Sequence, residues 1–215
     1  IKPRVSGQII EVSDEFLPGG MFKAGQVLVR IDPRDFELNI KSRASDVAQA
    51  KSNLDLEMGQ QVISRREFEL LGESITEDDQ YLVLRKPQLA AARASLEKAE
   101  ASLEQTKLDL ERTSIRAPFN ATIKVRNADL GVQVTPASTL AVLSDTDRYW
   151  VRVAVPVDKL KWIKIPNSPK GNNSMVRVYN ESAWGRNNYR SGKVIRLMSE
   201  LERQGRMAQL LVEIE

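Results

Sequence analysis

Two long segments, residues 34–71 and 76–113, carry apolar or small residues in steps of three and four, and this pattern constrains the fold more than any other feature. The positions in the first segment are Phe36, Ile40, Arg43, Val47, Ala50, Leu54, Met58 and Gln61, of which Arg43 is an exception and Gln61 is also polar. Those in the second are Leu82, Leu89, Ala92, Leu96, Ala99, Leu103, Thr106, Leu110 and Thr113. Such steps place a stripe along one face of an α-helix and are typical of a coiled-coil seam.

The two predicted helices match in length and are joined by a short turn. Each spans 38 residues, which at 1.5 Å per residue is about 57 Å. Gly72 stands where a helix C-cap favours glycine, and Thr76 is a candidate N-cap for the second helix. Equal helices with facing stripes predict an antiparallel hairpin that projects from the rest of the chain. Pro87 removes one backbone donor within the second helix, so we expect a kink there.

Residue types that the chain lacks exclude several classes of function. There is no cysteine and no histidine, which excludes disulfide frameworks, thiolate zinc sites, imidazole ligands and Ser-His-Asp triads. The net charge is only +3 and the basic residues are dispersed, so nucleic acid is not an expected partner. No run approaches the roughly 18 apolar residues of a membrane span. The chain begins and ends within strand-like sequence, and we expect it to be part of a longer protein.

A short β-type motif occurs on both sides of the predicted hairpin. Its positions Gly19, Phe22, Gly25, Leu28 and Ile31 recur 112 residues later as Gly131, Val134, Ala137, Leu140 and Leu143. The preceding strand-like positions Val5, Gly7 and Ile9 match, at an offset of 114, Phe119, Ala121 and Ile123. Two related halves predict one β-unit, into which the hairpin is inserted. After residue 144 the composition changes, and alternating segments such as YWVRVAV and AQLLVEIE predict a second β-domain.

The segments VSGQI, GGMFKAGQVLVRIDP, TSIRAPFNATI and GVQVTPASTLAVL, in this order and spacing, resemble the periplasmic adaptors, or membrane fusion proteins, of bacterial tripartite efflux pumps (the HlyD-like family). The resemblance implies a multidomain α+β fold. A lipoyl-like β-sandwich (residues 1–33 and 114–144) is split by an antiparallel α-helical coiled-coil hairpin (34–113) and followed by an incomplete β-barrel domain (145–215). Asn120-Ala121 and Pro136-Ala137 depart from the family, which commonly has Asp-Gly and a glycine there.

The resemblance also implies what the protein does. It implies that the chain is not an enzyme, and we expect no cofactor and no metal site. Adaptors of this family link an inner-membrane transporter, here expected to be of the resistance–nodulation–division (RND) type, to an outer-membrane channel of the TolC type, for export of drugs or other small molecules. A hexamer in the assembled pump and a periplasmic location are further implications, as is an inner-membrane anchor through an N-terminal segment outside this chain.

The end of the hairpin, SRREFELLGESITEDD, carries the residues that the resemblance identifies as partner-binding. These are Arg66, Leu70 and Thr76, which the family would use to contact the outer-membrane channel. Arg66 and Leu70, at positions i and i+4, share one helix face and offer a donor beside an apolar side chain. An alternative is that Leu70 only closes the hairpin and Thr76 only caps a helix. The acidic cluster after Thr76 is expected to complement the helix dipole rather than to bind calcium.

Two other functions fit parts of the pattern. An adaptor of a type I secretion system or of another ATP-driven exporter shares this organisation but often has a longer hairpin. A lipoyl or biotinyl carrier subunit shares the β-unit. Such carriers present a lysine at the turn between their halves, and here that turn holds the helical insertion, with no Met-Lys-Met or Asp-Lys-Ala sequence in the chain. The carrier function is therefore disfavoured.

Overall fold

The computed structural model describes residues 1–71, 77–166, 173–202 and 207–214, and their fold is mixed α+β. The helices are α1 (Arg34–Leu71), α2 (Glu77–Val83), α3 (Lys86–Glu111) and α4 (Glu181–Trp184), with a 3₁₀ helix at Val157–Trp162. The strands are β1 (Gly7–Val12), β2 (Met21–Phe22), β3 (Val27–Ile31), β4 (Ser114–Arg116), β5 (Ala121–Arg126), β6 (Gln133–Val134), β7 (Ala141–Asp145), β8 (Tyr149–Pro156), β9 (Met175–Tyr179), β10 (Tyr189–Glu202) and β11 (Met207–Ile214). None of the described helices is long and apolar enough to cross a lipid bilayer.

The chain divides into two compact units. Unit 1 consists of Ile1–Leu17, Gln26–Arg116 and Val125–Val142, and unit 2 of Pro18–Gly25, Ala117–Lys124 and Leu143–Glu215. Unit 1 holds α1, α2 and α3 with strands β1, β3, β4 and β6. Unit 2 holds β2 and all elements from β8 onwards, while β5 and β7 have residues in both units. The three domain boundaries predicted from the sequence stay a prediction.

A four-stranded antiparallel sheet in the order β4-β3-β1-β6 forms the β part of unit 1. Its apolar core includes the fully buried side chains of Ile9, Phe16, Leu28 and Ile31. A Cβ atom at Gly7 would lie 2.4 Å from Cγ2 of Ile31, which is far inside van der Waals contact. Glycine at this position therefore allows the Ile31 side chain to pack directly against the backbone of β1.

Helices α1 and α3 of unit 1 pack against each other in antiparallel orientation. The Ile31 N–H, before α1, donates to the Thr113 carbonyl, after α3, at 2.8 Å. Farther along, Glu57 of α1 pairs with Arg85 at the start of α3. The first predicted helix is confirmed with the bounds expected from its sequence, Arg34–Leu71.

Most predicted seam positions are buried or half-buried in unit 1. These are Phe36, Ile40, Val47, Ala50, Leu54 and Gln61 from the first segment and Leu89, Ala92, Leu96, Ala99, Leu103, Thr106, Leu110 and Thr113 from the second. The prediction is wrong at Met58, which is exposed because Glu57 occupies the seam instead. It is also wrong at Leu82, which is exposed on α2.

The second predicted helix is wrong as a single element, because the chain forms α2 and α3 with Leu84 and Arg85 between them. Arg85 has φ of 51°, in the left-handed region, which no α-helix continues through. Pro87 lies in the first turn of α3, where its missing donor would have no intrahelical partner. The expected kink is therefore a break in the helix, located before Pro87. The predicted N-cap, Thr76, lies outside the described residues.

A four-stranded antiparallel sheet in the order β8-β11-β10-β9 forms most of unit 2. Along β11 buried and half-buried side chains alternate, as expected for a strand with one face on a core. The buried residues are Val194 of β10 and, on β11, Ala208, Leu210, Val212 and Ile214. Leu160 of the 3₁₀ helix and Ile163 and Ile165 after it pack against this core.

Asn120 replaces the aspartate expected at its position and connects three segments of unit 2. Its Oδ1 accepts a hydrogen bond from the Ala24 N–H at 2.9 Å, and its Nδ2 donates to both carboxylate oxygens of Asp147, at 2.9 and 3.0 Å. Its backbone carbonyl accepts from the Thr146 N–H at 3.0 Å. An aspartate at position 120 would face the carboxylate of Asp147, so here the amide is the better side chain.

The internal repeat is visible in the strands. β1 and β5 correspond at the offset of 114, and β2 and β6 at the offset of 112. The pairing is equivalent in the two halves, because Gly7 lies opposite Val134 and Ala121 lies opposite Phe22. Gly19 and Gly131 also correspond, with positive φ values of 90° and 83° that favour glycine. β2, β5 and β7 form the remaining three-stranded sheet.

Candidate partner-binding site

Two of the three predicted partner-binding residues are described, and both lie exposed on α1. Leu70 is 86% exposed, a high value for a large apolar side chain, and Arg66 is also exposed. The two share one helix face, as their spacing predicts. Thr76 lies outside the described residues, so its place relative to Arg66 and Leu70 stays a prediction.

Leu70 belongs to a longer apolar stripe on α1 that the reasoning from sequence missed. Leu56, Ile63 and Leu70 follow each other at steps of seven and are 65%, 57% and 86% exposed. Leu56 and Ile63 each lie two residues after a seam position, and Leu70 lies two residues after the half-buried Phe68, which in each case is roughly 200° around the helix axis. The stripe therefore faces away from the seam. The signal in the sequence that could have revealed this stripe was a second apolar series at steps of seven, in addition to the seam.

Charged side chains flank the outer stripe, which we define as Leu56, Ile63 and Leu70. Arg66 lies on one side of it and Glu67 on the other, and both are exposed. Arg65 and Glu69 pair with each other at 3.7 Å, but both are largely in solvent, so this pair stabilises the helix only slightly. The outer stripe thus combines apolar side chains with one positive and one negative neighbour.

A polar cluster lies where α2 and α3 are interrupted. The Arg85 guanidinium donates to both carboxylate oxygens of Glu57, from Nε at 2.7 Å and from Nη2 at 2.9 Å. These hydrogen bonds lower the pKa of Glu57 and raise the pKa of Arg85 relative to their ordinary values. Gln61 Nε2 donates to the Leu84 carbonyl at 3.2 Å. The cluster joins α1 to the interruption with charge-assisted and neutral hydrogen bonds.

Short helix α2 adds exposed apolar side chains near this interruption. Tyr81, Leu82 and Val83 are each roughly half exposed. The Lys86 ammonium lies 5.8 Å from the centre of the Tyr81 ring, within the range of a cation–π contact.

Unit 2 has an open cleft lined by Trp184, Asn188, Tyr189, Arg190 and Ser191. Arg190 lies 5.5 Å from the centre of the Trp184 ring. The cleft is wide and shallow, and the residues that line it do not include a nucleophile next to a base. Within the described ranges, no group of three or more carboxylates is placed to hold a metal ion.

Comparison with known proteins identifies relatives by sequence. Residues 1–146 match the family model described as "RND MFP, barrel-sandwich hybrid domain". The multidrug resistance protein MdtA of Pectobacterium carotovorum subsp. carotovorum (strain PC1) is 27% identical over 193 residues, which cover 85% of this chain and 43% of that protein. The chain therefore spans less than half the length of this curated relative.

Solved structures resemble the fold. The membrane fusion protein Spr0693 of Streptococcus pneumoniae R6 has a TM-score of 0.62 at 14% identity, over 97% of this chain and 80% of that one. A MacA-MexA chimeric protein that contains the Pseudomonas aeruginosa MexA alpha-hairpin domain has a TM-score of 0.57 at 15% identity. The match covers 100% of this chain and 75% of that one. At such identities the likeness shows the fold alone.

Proposed function

The chain belongs to the barrel-sandwich hybrid domain family of RND membrane fusion proteins, and from this premise we propose that it is part of a periplasmic adaptor. The adaptor links an inner-membrane efflux transporter of the RND type to an outer-membrane channel, for export of drugs or other small molecules. It catalyses no reaction and holds no cofactor. The family match and the multidrug resistance protein among its relatives support this function.

The proposed organisation assigns one role to each part of the chain. Residues 1–33 and 114–144 form a lipoyl-like β-sandwich, and residues 34–113 form a coiled-coil hairpin that carries the docking site. Residues 145–215 belong to a β-barrel domain. The antiparallel packing of α1 on α3 supports the hairpin, and the equivalent pairing of Gly7 with Val134 and of Ala121 with Phe22 supports the sandwich.

The proposed partners follow from the family. The adaptor contacts an RND transporter and a channel of the TolC type, forms a hexamer in the assembled pump, and lies in the periplasm with an N-terminal anchor in the inner membrane. An adaptor of a type I secretion system or another ATP-driven exporter is the second candidate. The family match to RND membrane fusion proteins favours the first.

The observation that carries the docking proposal is the outer stripe. Large apolar side chains at steps of seven, turned away from the seam, are suited to knobs-into-holes contact with a further helix. Arg66 and Glu67 on its two sides would pair with opposite charges of the bound helix and so select its orientation. In this proposal Leu70 is the main apolar contact, with Arg66 and Thr76 as the other partner-binding residues.

Site-directed variants in the full-length protein test this function. Leu70→Asp would place a charge in a desolvated contact, and Arg66→Asp would reverse the charge beside it. Each variant is expected to abolish drug resistance in cells while the protein level stays unchanged, because exposed substitutions usually cost less than about 0.5 kcal/mol of stability. The matched control is Lys51→Glu, an exposed charge reversal on the same helix, lateral to the outer stripe.

Glu57 cannot serve as the control. Glu57 looks like a solvated position midway along the helix, but its side chain is only 14% exposed and binds Arg85. Lys51→Glu is expected to leave resistance unchanged. Full resistance in a well-expressed Arg66→Asp, Leu70→Asp double variant would show that the end of the hairpin is not the docking site.

A further inference from the structure

We infer that Glu57, Gln61 and Arg85 form a polar clamp that fixes α2, and with it the distal end of the hairpin, relative to α1. The clamp is a positioning device rather than a contact to any partner. Its structural part stands without the proposed function, and its effect on export rests on that function.

The clamp occupies seam positions that are otherwise apolar or small. On α1, Glu57 and Gln61 continue the series of Phe36, Ile40, Val47, Ala50 and Leu54. Both side chains point across the hairpin to the segment between α2 and α3. Glu57 receives two hydrogen bonds from one guanidinium, and Gln61 donates to a backbone carbonyl. These two contacts make this level of the seam polar, in contrast to the apolar or small side chains that precede it on α1.

The backbone interruption explains why polar groups are needed there. Arg85 adopts the left-handed conformation, so the regular series of i to i−4 hydrogen bonds stops and restarts at this point. The Arg85 N–H donates to the Leu82 carbonyl, and the Leu89 N–H donates to the Arg85 carbonyl, which opens α3. The Leu84 carbonyl receives its hydrogen bond from Gln61 on the other helix. The backbone groups at the interruption are thus satisfied partly by local hydrogen bonds and partly, at the Leu84 carbonyl, from α1.

Polar contacts of this kind also select one register. Apolar seams with a seven-residue period tolerate a slide of one repeat, since one apolar side chain replaces another. A slide here would leave the Glu57 carboxylate against apolar side chains without its guanidinium partner. Polar pairs within coiled coils are known to specify register in this way. Because the clamp sits at the interruption, it fixes the pairing of α1 with the segment at Leu84 and Arg85, and with it the direction in which α2 leaves, while the apolar seam holds the rest of α1 against α3.

Spin-label distance measurements in the full-length protein test the clamp. Labels go on introduced cysteines, because residues 1–215 contain none. A distal pair at Gln60 and Leu82 spans α1 and α2, and a proximal pair at Lys51 and Glu97 spans α1 and α3. In Glu57→Gln, which keeps the shape but removes the charge, the distal distance distribution should broaden at least twofold while the proximal one stays narrow.

The matched control is Glu104→Gln, the same substitution at an exposed carboxylate that pairs within α3 with Lys107. It should leave both distributions unchanged. Arg85→Lys, which keeps the charge but not the two-pronged geometry, should give an intermediate width. An unchanged distal distribution in Glu57→Gln would overturn the clamp. Broadening of both pairs would also overturn it, because the contact would then hold the whole helix pair together.

Resistance measured on the same Glu57→Gln variant separates this inference from the proposed function. Loss of resistance together with distal broadening supports both. Distal broadening with full resistance keeps the clamp as a structural device and refutes its role in aiming the docking end. Distal broadening in a protein whose docking variants are fully active keeps the clamp and refutes the proposed docking site.

Discussion

At the scale of single residues, two glycines of unit 1 have opposite environments. A Cβ atom at Gly7 would lie 2.4 Å from Ile31 Cγ2, whereas at Gly59, in the interior of α1, a Cβ atom would have nothing within 4 Å. The first glycine is required by packing. The second only weakens a helix, because glycine loses more backbone entropy on folding than alanine does.

The same substitution at these two glycines should therefore change stability in opposite directions. We expect Gly7→Ala to lower the free energy of unfolding by about 1–3 kcal/mol, as overpacking does. We expect Gly59→Ala to raise it by about 0.5–1 kcal/mol. Urea denaturation followed by circular dichroism measures both, and each variant is the control for the other. Equal shifts for the two variants would contradict the packing of Ile31 on β1.

The ion pair of Glu57 and Arg85 should make stability depend on pH. Hydrogen bonds from Arg85 lower the pKa of Glu57 in the folded state. The contribution of the ion pair to stability is therefore fully present above the pKa of Glu57 in the unfolded chain, about 4.3. It is lost as the pH falls through the lower pKa of Glu57 in the folded protein. The difference in unfolding free energy between the wild type and Glu57→Gln should be constant near neutral pH and shrink in acid. A difference that grows on acidification would contradict this assignment.

Residue-level prediction succeeded where the period was regular and failed where a polar side chain interrupted it. The steps of three and four place Leu54 and Gln61 correctly, but an apolar criterion prefers Met58 to Glu57 between them. Only the position of Arg85 shows that a carboxylate belongs in the seam, and the left-handed conformation of Arg85 is not encoded in any local motif. A polar residue in a seam is identified by its partner, which the sequence of one helix does not contain.

At the scale of elements, the apolar period predicts helix α1 correctly but not the division of the second helix. The bounds of α1, Arg34–Leu71, agree with those expected from the sequence, whereas the second segment divides into α2 and α3. Pro87 correctly indicates an irregularity in the second helix. The irregularity is a break before Pro87 rather than a kink at it. A proline in the first turn of a helix is tolerated, so the break depends on the backbone of Leu84 and Arg85 and on their contacts to α1.

Pro87→Ala should accordingly change stability very little. We expect a shift of less than about 0.5 kcal/mol, since the added N–H gains no partner at the start of α3. Thermal unfolding of the variant beside the wild type measures the shift. A gain of several degrees in the melting temperature would indicate that the helix had become continuous and would contradict the account of the break.

At the scale of the whole molecule, the repeat and the inserted helices are what the sequence encodes most clearly. The offsets of 112 and 114 predicted which strands correspond, and the pairing of β1 with β6 and of β2 with β5 agrees with them. The outer stripe was not predicted, because one seam is enough to explain a helix at α1, and a second apolar series has a meaning only once its exposure is known. The docking role of Arg66, Leu70 and Thr76 stays a prediction.

Photo-crosslinking in living cells tests the central claim most directly. A photoreactive phenylalanine analogue replaces Leu70 in the full-length protein, or replaces Lys51 as the lateral control. After irradiation, the position-70 variant should form a covalent adduct that fractionates with the outer membrane and contains a channel protein by mass spectrometry, and the position-51 variant should not. Absence of an outer-membrane adduct at position 70, or equal adducts at both positions, would contradict the docking of this hairpin on a channel.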